Sequence, residues 1–261
     1  MKKPVFPPLA ASLLLLGSSA FAQATRTPQH APDGGTRETF ASIFIPSTPD
    51  APFTATVNTE WIRQLPDGNS ITLKNHRTIA RDTTGRIFQE RRYFVPDDGK
   101  KESFVTQTEI SDPASHELYI CLPREQVCRL RQFFGANIGS AQFAGASAKQ
   151  PGAPADESLG TQTIEGLEAI GTRETTLTET GAVGNNSPIL EKREFWYSPQ
   201  LGINLITKRQ DARFSSQQNF EVTGIALGEP DAKLFAPPAG YRILDMRNPP
   251  ELTSPTASSK D

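Results

Sequence analysis

Histidine, cysteine, methionine and tryptophan are scarce in this 261-residue chain, which holds three, two, two and two of them. The histidines are His30, His76 and His116, and no two of them have the spacing that puts ligands on one helix face. A metal site of the His-x-x-x-His kind therefore has no basis. No Gly-x-Ser-x-Gly elbow is present to expose a nucleophile. Gly-rich phosphate loops of either common type are missing too, so nothing calls for a nucleotide or another cofactor. Charge of one sign is also lacking: 27 basic residues stand against 29 acidic ones. A nucleic-acid partner needs clustered positive charge to neutralise phosphates, and is not expected.

What is present starts with an export signal. Lys2 and Lys3 precede an apolar run over residues 9–17, and Ala20-Phe21-Ala22 offers small residues at the two positions a signal peptidase reads. The run is shorter than the roughly 20 residues a permanent span requires. Residues 1–22 are thus expected to be removed after Ala22, and no cysteine follows to carry a lipid. Loss of Lys2 and Lys3 leaves 25 basic and 29 acidic residues, a net charge of −4. A periplasmic or extracellular protein without a permanent membrane span is expected.

Export places Cys121 and Cys128 in an oxidising compartment. Folding Leu118–Leu130 as a hairpin around Pro123–Gln126 sets the two cysteines opposite each other, about 5 Å apart at Cα and within disulfide range. The spacing predicts a structural disulfide. It lacks the Cys-x-x-Cys form of a redox pair.

Along the chain, residues 23–37 read as a flexible lead-in. From residue 38 to 247 one β domain is predicted. Turn signals such as Pro66-Asp67-Gly68-Asn69, Arg81–Arg86 and Pro96–Gly99 recur every 10–17 residues, and the segments between are rich in Thr, Ile, Val, Phe and Tyr. No helix of ten or more residues intervenes. The Ala/Gly/Pro-rich stretch 135–158 has few branched apolar residues and reads as a flexible insertion, and residues 248–261 as a disordered tail. Lys192–Tyr241 is the most regularly patterned stretch and carries no catalytic signature.

Arg77, Arg91, Arg92, Arg173, Glu174, Arg193, Glu194 and Arg209 interrupt the apolar alternation. They read as cross-strand ion pairs on the solvated face of a one-sided sheet. Glu90, Glu109 and Glu194 belong to the same reading rather than to a pair of hydrolytic carboxylates. Trp196 and Tyr197 point to opposite faces, so one of them is core, and Trp61 could join either set. Trp61, Trp196 and Tyr197 are the candidate ligand-face residues.

Three phrases carry a resemblance. They are Asp67-Gly68-Asn69 with Arg81-Asp82-x-x-Gly85-Arg86, Leu159-Gly160 with Ile164-Glu165-Gly166 and Gly171-Thr172-Arg173, and Glu194-x-Trp196-Tyr197-Ser198 with Asp211-x-Arg213. Together they resemble a family of exported bacterial β-rich proteins of uncharacterised function. The ending Glu229-Pro230-Asp231-x-x-Leu234-Phe235-x-x-Pro238-x-Gly240-Tyr241 is similar to that of periplasmic lipoprotein-carrier-like (LolA/LppX-like) domains. The resemblance implies a strongly curved antiparallel sheet or half-barrel, here of about ten strands with little helix, and a lipid or lipoprotein ligand. No site residue carries over.

The expected protein is therefore an exported, non-enzymatic binding protein for a lipid, lipoprotein or other amphipathic envelope ligand, with no metal or cofactor. The alternative is an envelope structural or regulatory protein that binds another protein through its sheet edge.

Overall fold

Local turn chemistry starts the sheet. Gly68 adopts a positive φ of 86°, and the Asp67 carboxylate accepts from the Asn69 amide N–H at 3.0 Å and its Nδ2 at 2.9 Å. That turn joins β1 (Phe53–Gln64) to β2 (Ser70–Arg81) in an unbroken antiparallel register from Phe53↔Arg81 to Gln64↔Ser70. The computed structural model describes residues 42–133 and 155–247. The export signal 1–22, the lead-in 23–37, the tail 248–261 and residues 135–154 of the expected insertion lie outside the described residues.

The chain then runs through β3 (Ile87–Arg92), β4 (Val95–Pro96), β5 (Val105–Asp112), β6 (Glu117–Leu122) and β7 (Val127–Gln132). It resumes in β8 (Ala155–Ile164), β9 (Leu167–Thr178), β10 (Ile189–Ser198), β11 (Ile203–Asp211) and β12 (Ser216–Leu227), and ends in β13 (Arg242–Asp245). All thirteen belong to one sheet of order β13-β7-β6-β5-β3-β2-β1-β12-β11-β10-β9-β8, with β4 pairing β2 off this path. Pairing is antiparallel except between β13 and β7. One meander thus walks outward from β1 to β7, and a second walks inward from β8 to β12 and joins the first at β1. Among the described residues β8 and β13 remain open edges, so the sheet does not close into a barrel. The mainly-β, antiparallel expectation holds. The strand count exceeds ten partly because β4, with two residues, and β13, with four, are too short to leave a period. One 3-10 turn, Ala232–Phe235, is the sole helical element among the described residues.

Cys121 and Cys128 face each other in the β6–β7 register and form the expected disulfide. β8 begins at Ala155, inside the stretch expected to be an insertion. Main-chain pairing with β9 needs no apolar side chains, and Glu157 is held by Arg173 at 2.8 Å, so a polar sequence serves as strand here.

The main core gathers Phe53, Ala55 and Val57 of β1, Ile79 of β2, Phe220 and Val222 of β12, Leu201, Ile203 and Leu205 around the β10–β11 hairpin, and Ile43 and Ile45 of the extended segment 42–52. Two arginines tie that segment down. Arg81, with no exposed surface, donates from Nε and Nη2 to the Ala51 carbonyl, from Nη1 to Pro46 and from Nη2 to Leu201. Arg77, expected on the solvated face as half of an ion pair, is instead buried. It donates to Gln89 Oε1 at 3.0 Å, Ser42 Oγ at 2.7 Å and the Ile43 carbonyl at 3.2 Å. Burial, with Arg91 adding to it, pushes its pKa down to about 10. The alternation of β2 does place Arg77 on the same face as Ile79. A strand's own period does not reveal that a distant segment covers that face.

Candidate functional site

Residues directly opposite in an antiparallel sheet share a face, so the register reads out rows of side chains that cross the strands. On the face of β1 opposite Val57, one row runs Lys74, Glu60, Asn219, Lys208, Glu194, Arg173, Glu157 over seven strands. Its signs alternate, with Asn219 as the one neutral step. Lys74 approaches Glu60 at 3.5 Å, and Asn219 Nδ2 donates to the same carboxylate at 2.9 Å. Lys208 and Arg173 flank Glu194 at 3.8 and 3.2 Å, and Arg173 reaches on to Glu157. Burial, the largest single influence on Glu194, pushes its pKa up. The Trp196 indole N–H, Arg173 and Lys208 outweigh that and hold it below the usual carboxylate range. The row is a self-neutralising ladder of the cross-strand kind.

On one side of this ladder lies a depression of about 850 Å³ over β1, β2, β11 and β12, bounded by Asn58, His76, Ile206 and Lys101. On the other side the next row reads Ile62, Gln217, Gln210, Lys192. These residues border two further depressions of about 320 and 340 Å³. The three are contiguous: Lys208 lines the first and the second, while Lys192, Gln210 and Gln217 line the second and the third. Beyond that row stands an apolar pair, Leu190 opposite Leu177, 38% and 46% exposed. The face therefore forms one trough that passes from charged, through amide, to apolar side chains. Its depressions fall within or near the roughly 300–1,000 Å³ of small-ligand sites.

The structure does not bring the three candidate ligand-face residues together. Trp61 lies on the opposite face of β1, across from Leu73 and Gln218. Trp196 is on the trough face but packs against the core, and its ring covers Gly171, where an added Cβ would sit 2.7 Å from the indole. Tyr197 is 42% exposed on the far face, paired with Ile170, which is equally open. Three of the strand charge pairs run across strands, Arg91 with Glu109, Arg193 with Glu174 and Arg209 with Glu191, whereas Arg92 pairs with Glu90 along β3 itself. The sequence alone does not single out the trough residues Lys192, Lys208, Gln210, Gln217 and Leu190. Their alternation is visible there, but the register that aligns four strands is not.

No family model and no curated protein matches this chain. Solved structures do. A conserved protein from Thermus thermophilus is similar at a TM-score of 0.37 and 10% identity, covering 74% of this chain and 90% of that one. MucB in its complex with MucA from Pseudomonas aeruginosa is similar at 0.38 and 12%, covering 76% of this chain. The chain spans 59% of that longer chain. A LolA superfamily protein from Nitrosomonas europaea is similar at 0.29 and 10%, covering 72% and 91%. At these identities and TM-scores no residue of the trough carries over.

Proposed function

We propose that this chain is an exported, non-enzymatic binding protein that lays an amphipathic envelope ligand, a lipid or the lipid-bearing end of a lipoprotein, along the trough. The observation that supports this reading is the continuity of the face from the charged ladder through Lys192 to Leu190 and Leu177. An amphiphile has the same polarity gradient, and covering two exposed leucines stabilises its complex by burying apolar surface. The test is native mass spectrometry of the mature chain purified from its own envelope, followed by lipid extraction. Retained lipid that is lost in Leu190→Asp is the expected result. Recovery of no lipid from either protein, alongside a retained protein partner, would refute it.

A second reading rests on β8. This ten-residue strand forms an open edge, and its described side chains are mostly exposed. An extended segment of an envelope partner could add to it as another strand, since an open edge presents unpaired backbone groups. That mode would leave Leu190→Asp without effect.

A further inference from the structure

On the strength of the trough reading, we propose that its ligand carries an anionic headgroup, held at Lys192 between Gln210 and Gln217, with the apolar chain lying toward Leu190 and Leu177. The charges of the neighbouring row are already matched within the sheet, so that row has little net attraction for an ion. Lys192 differs: it has no carboxylate partner among the described residues, and it borders both smaller depressions. Gln210 stands directly opposite it on β11, and Gln217 opposite Gln210 on β12. Neighbouring strands are about 4.8 Å apart, so a headgroup bridging Lys192 to Gln217 spans roughly 10 Å. One ammonium and two amides then supply donors, although the Gln217 amide already gives one N–H to Asn219 at 2.9 Å. The acid that shares this depression, Glu194, is held by Trp196, Arg173 and Lys208. Asp211 also borders this site, but its oxygens are taken by Arg213, at 2.6 and 2.9 Å, and by Arg209.

A zwitterionic headgroup would bring its own cation against Lys192, whereas a phosphate diester, phosphate or carboxylate would not. Glu191 and Arg193, the flanking residues, point to the other face and are paired there with Arg209 and Glu174. The single-chain form of the ligand follows from the apolar end, which offers one leucine pair and Ile62 rather than an enclosed cavity.

The test compares myristoyl lysophosphatidylglycerol with myristoyl lysophosphatidylcholine by calorimetric titration below their micelle concentrations, using the mature chain, Lys192→Gln and Leu190→Asp. The expected result is about fivefold tighter binding of the anionic lipid, the upper range of one exposed charge contact. Lys192→Gln should remove that preference and leave the zwitterionic lipid's affinity alone, while Leu190→Asp weakens both. Equal binding of the two lipids, unchanged by Lys192→Gln, overturns the headgroup assignment and leaves the trough reading in place. Failure of both lipids to bind, or binding indifferent to both substitutions, overturns the two together. Inorganic phosphate is titrated as well. Competition by it at the lipid's own concentration would mark a site for the free anion and overturn the amphiphile.

Discussion

Arg81→Met should unfasten one end of the core. The guanidinium has no exposed surface and no carboxylate beside it, and its four hydrogen bonds reach three carbonyl groups, of Ala51, Pro46 and Leu201, at 2.8–3.0 Å. It also lies 5.1 Å from the centre of the Phe53 ring. Methionine keeps much of the length but offers no donor, so one buried carbonyl, of Leu201, and two partly buried ones, of Ala51 and Pro46, lose their partners. Each such loss costs about 1–3 kcal/mol. The cost of holding a cation away from water is returned at the same time, which places the net loss toward the lower end, about 3–5 kcal/mol. That is a large share of the roughly 5–15 kcal/mol by which domains are stable. In urea, with a slope of about 2–3 kcal/mol/M, the midpoint should fall by roughly 1–2.5 M. The loss should be local as well as global, because Ala51 and Pro46 belong to the segment 42–52 that brings Ile43 and Ile45 into the core. Limited proteolysis should therefore cut near residues 42–52 under conditions where the parent chain is resistant. A midpoint within about 0.3 M of the parent, with an unchanged cleavage pattern, would refute the assignment of Arg81 as the clasp of this segment.

Two further outcomes follow from other parts of the sheet. Removing the Cys121–Cys128 bridge, by reduction or as the double alanine variant, should lower stability by about 2–3 kcal/mol, the entropy of closing so short a loop; equal melting temperatures with and without reductant would contradict this. Asp82, Glu90 and Asp211 all have pKa values held below the ordinary range. For Asp82 and Glu90 burial opposes the shift, and bonds from Arg86 and Thr84, and from Arg92 and Thr78, overcome it. For Asp211 the Arg213 hydrogen bond is the chief cause. A depressed acid stabilises the fold above its unfolded pKa and stops doing so as pH falls through the folded value. Melting temperature should therefore hold from neutrality to about pH 4 and drop below it. A flat profile down to pH 3 would show that these carboxylates are not coupled to folding.

What the sequence makes legible is local. Pro66–Asn69 is read as a turn because its four residues hold the whole mechanism, and Cys121 with Cys128 because only six residues lie between them. The order of the two meanders is not legible, since the pairing of β1 with β12 depends on contacts such as Val57 with Val222, far apart in the chain. The Arg77 and Arg81 clasps are hidden for the same reason: their acceptors at 42–51 and 201 carry no pattern. The ladder is half visible. Lys192, Glu194 and Trp196 alternate plainly in the sequence, but only the register supplies Arg173 and Lys208 to Glu194 and leaves Lys192 without an acid.

The register shift in β11 explains why one face can be core at one end and trough at the other. Trp196 pairs with Ile206 and Tyr197 with Asn204, so Leu205 is an extra residue on β11. A bulge of this kind turns two successive side chains to the same side and bends the strand. Ile203 and Leu205 go into the core, while Ile206 borders the trough and Lys208 and Gln210 continue along it. Leu167 and Ala169 on β9 are likewise buried, whereas Arg173 and Leu177 of the same face are not. The charged ladder sits at this border, where Glu194 is four-fifths covered and needs its cations. Its charges therefore serve the fold first. Lys192 lies one row further out, exposed and unmatched, where a charge contributes little to stability and remains available to a ligand. Glu194→Gln should accordingly lower stability with little change in lipid preference, and Lys192→Gln should do the reverse. If both variants changed stability alike, the line drawn here between the sheet's own ladder and its binding row would be wrong.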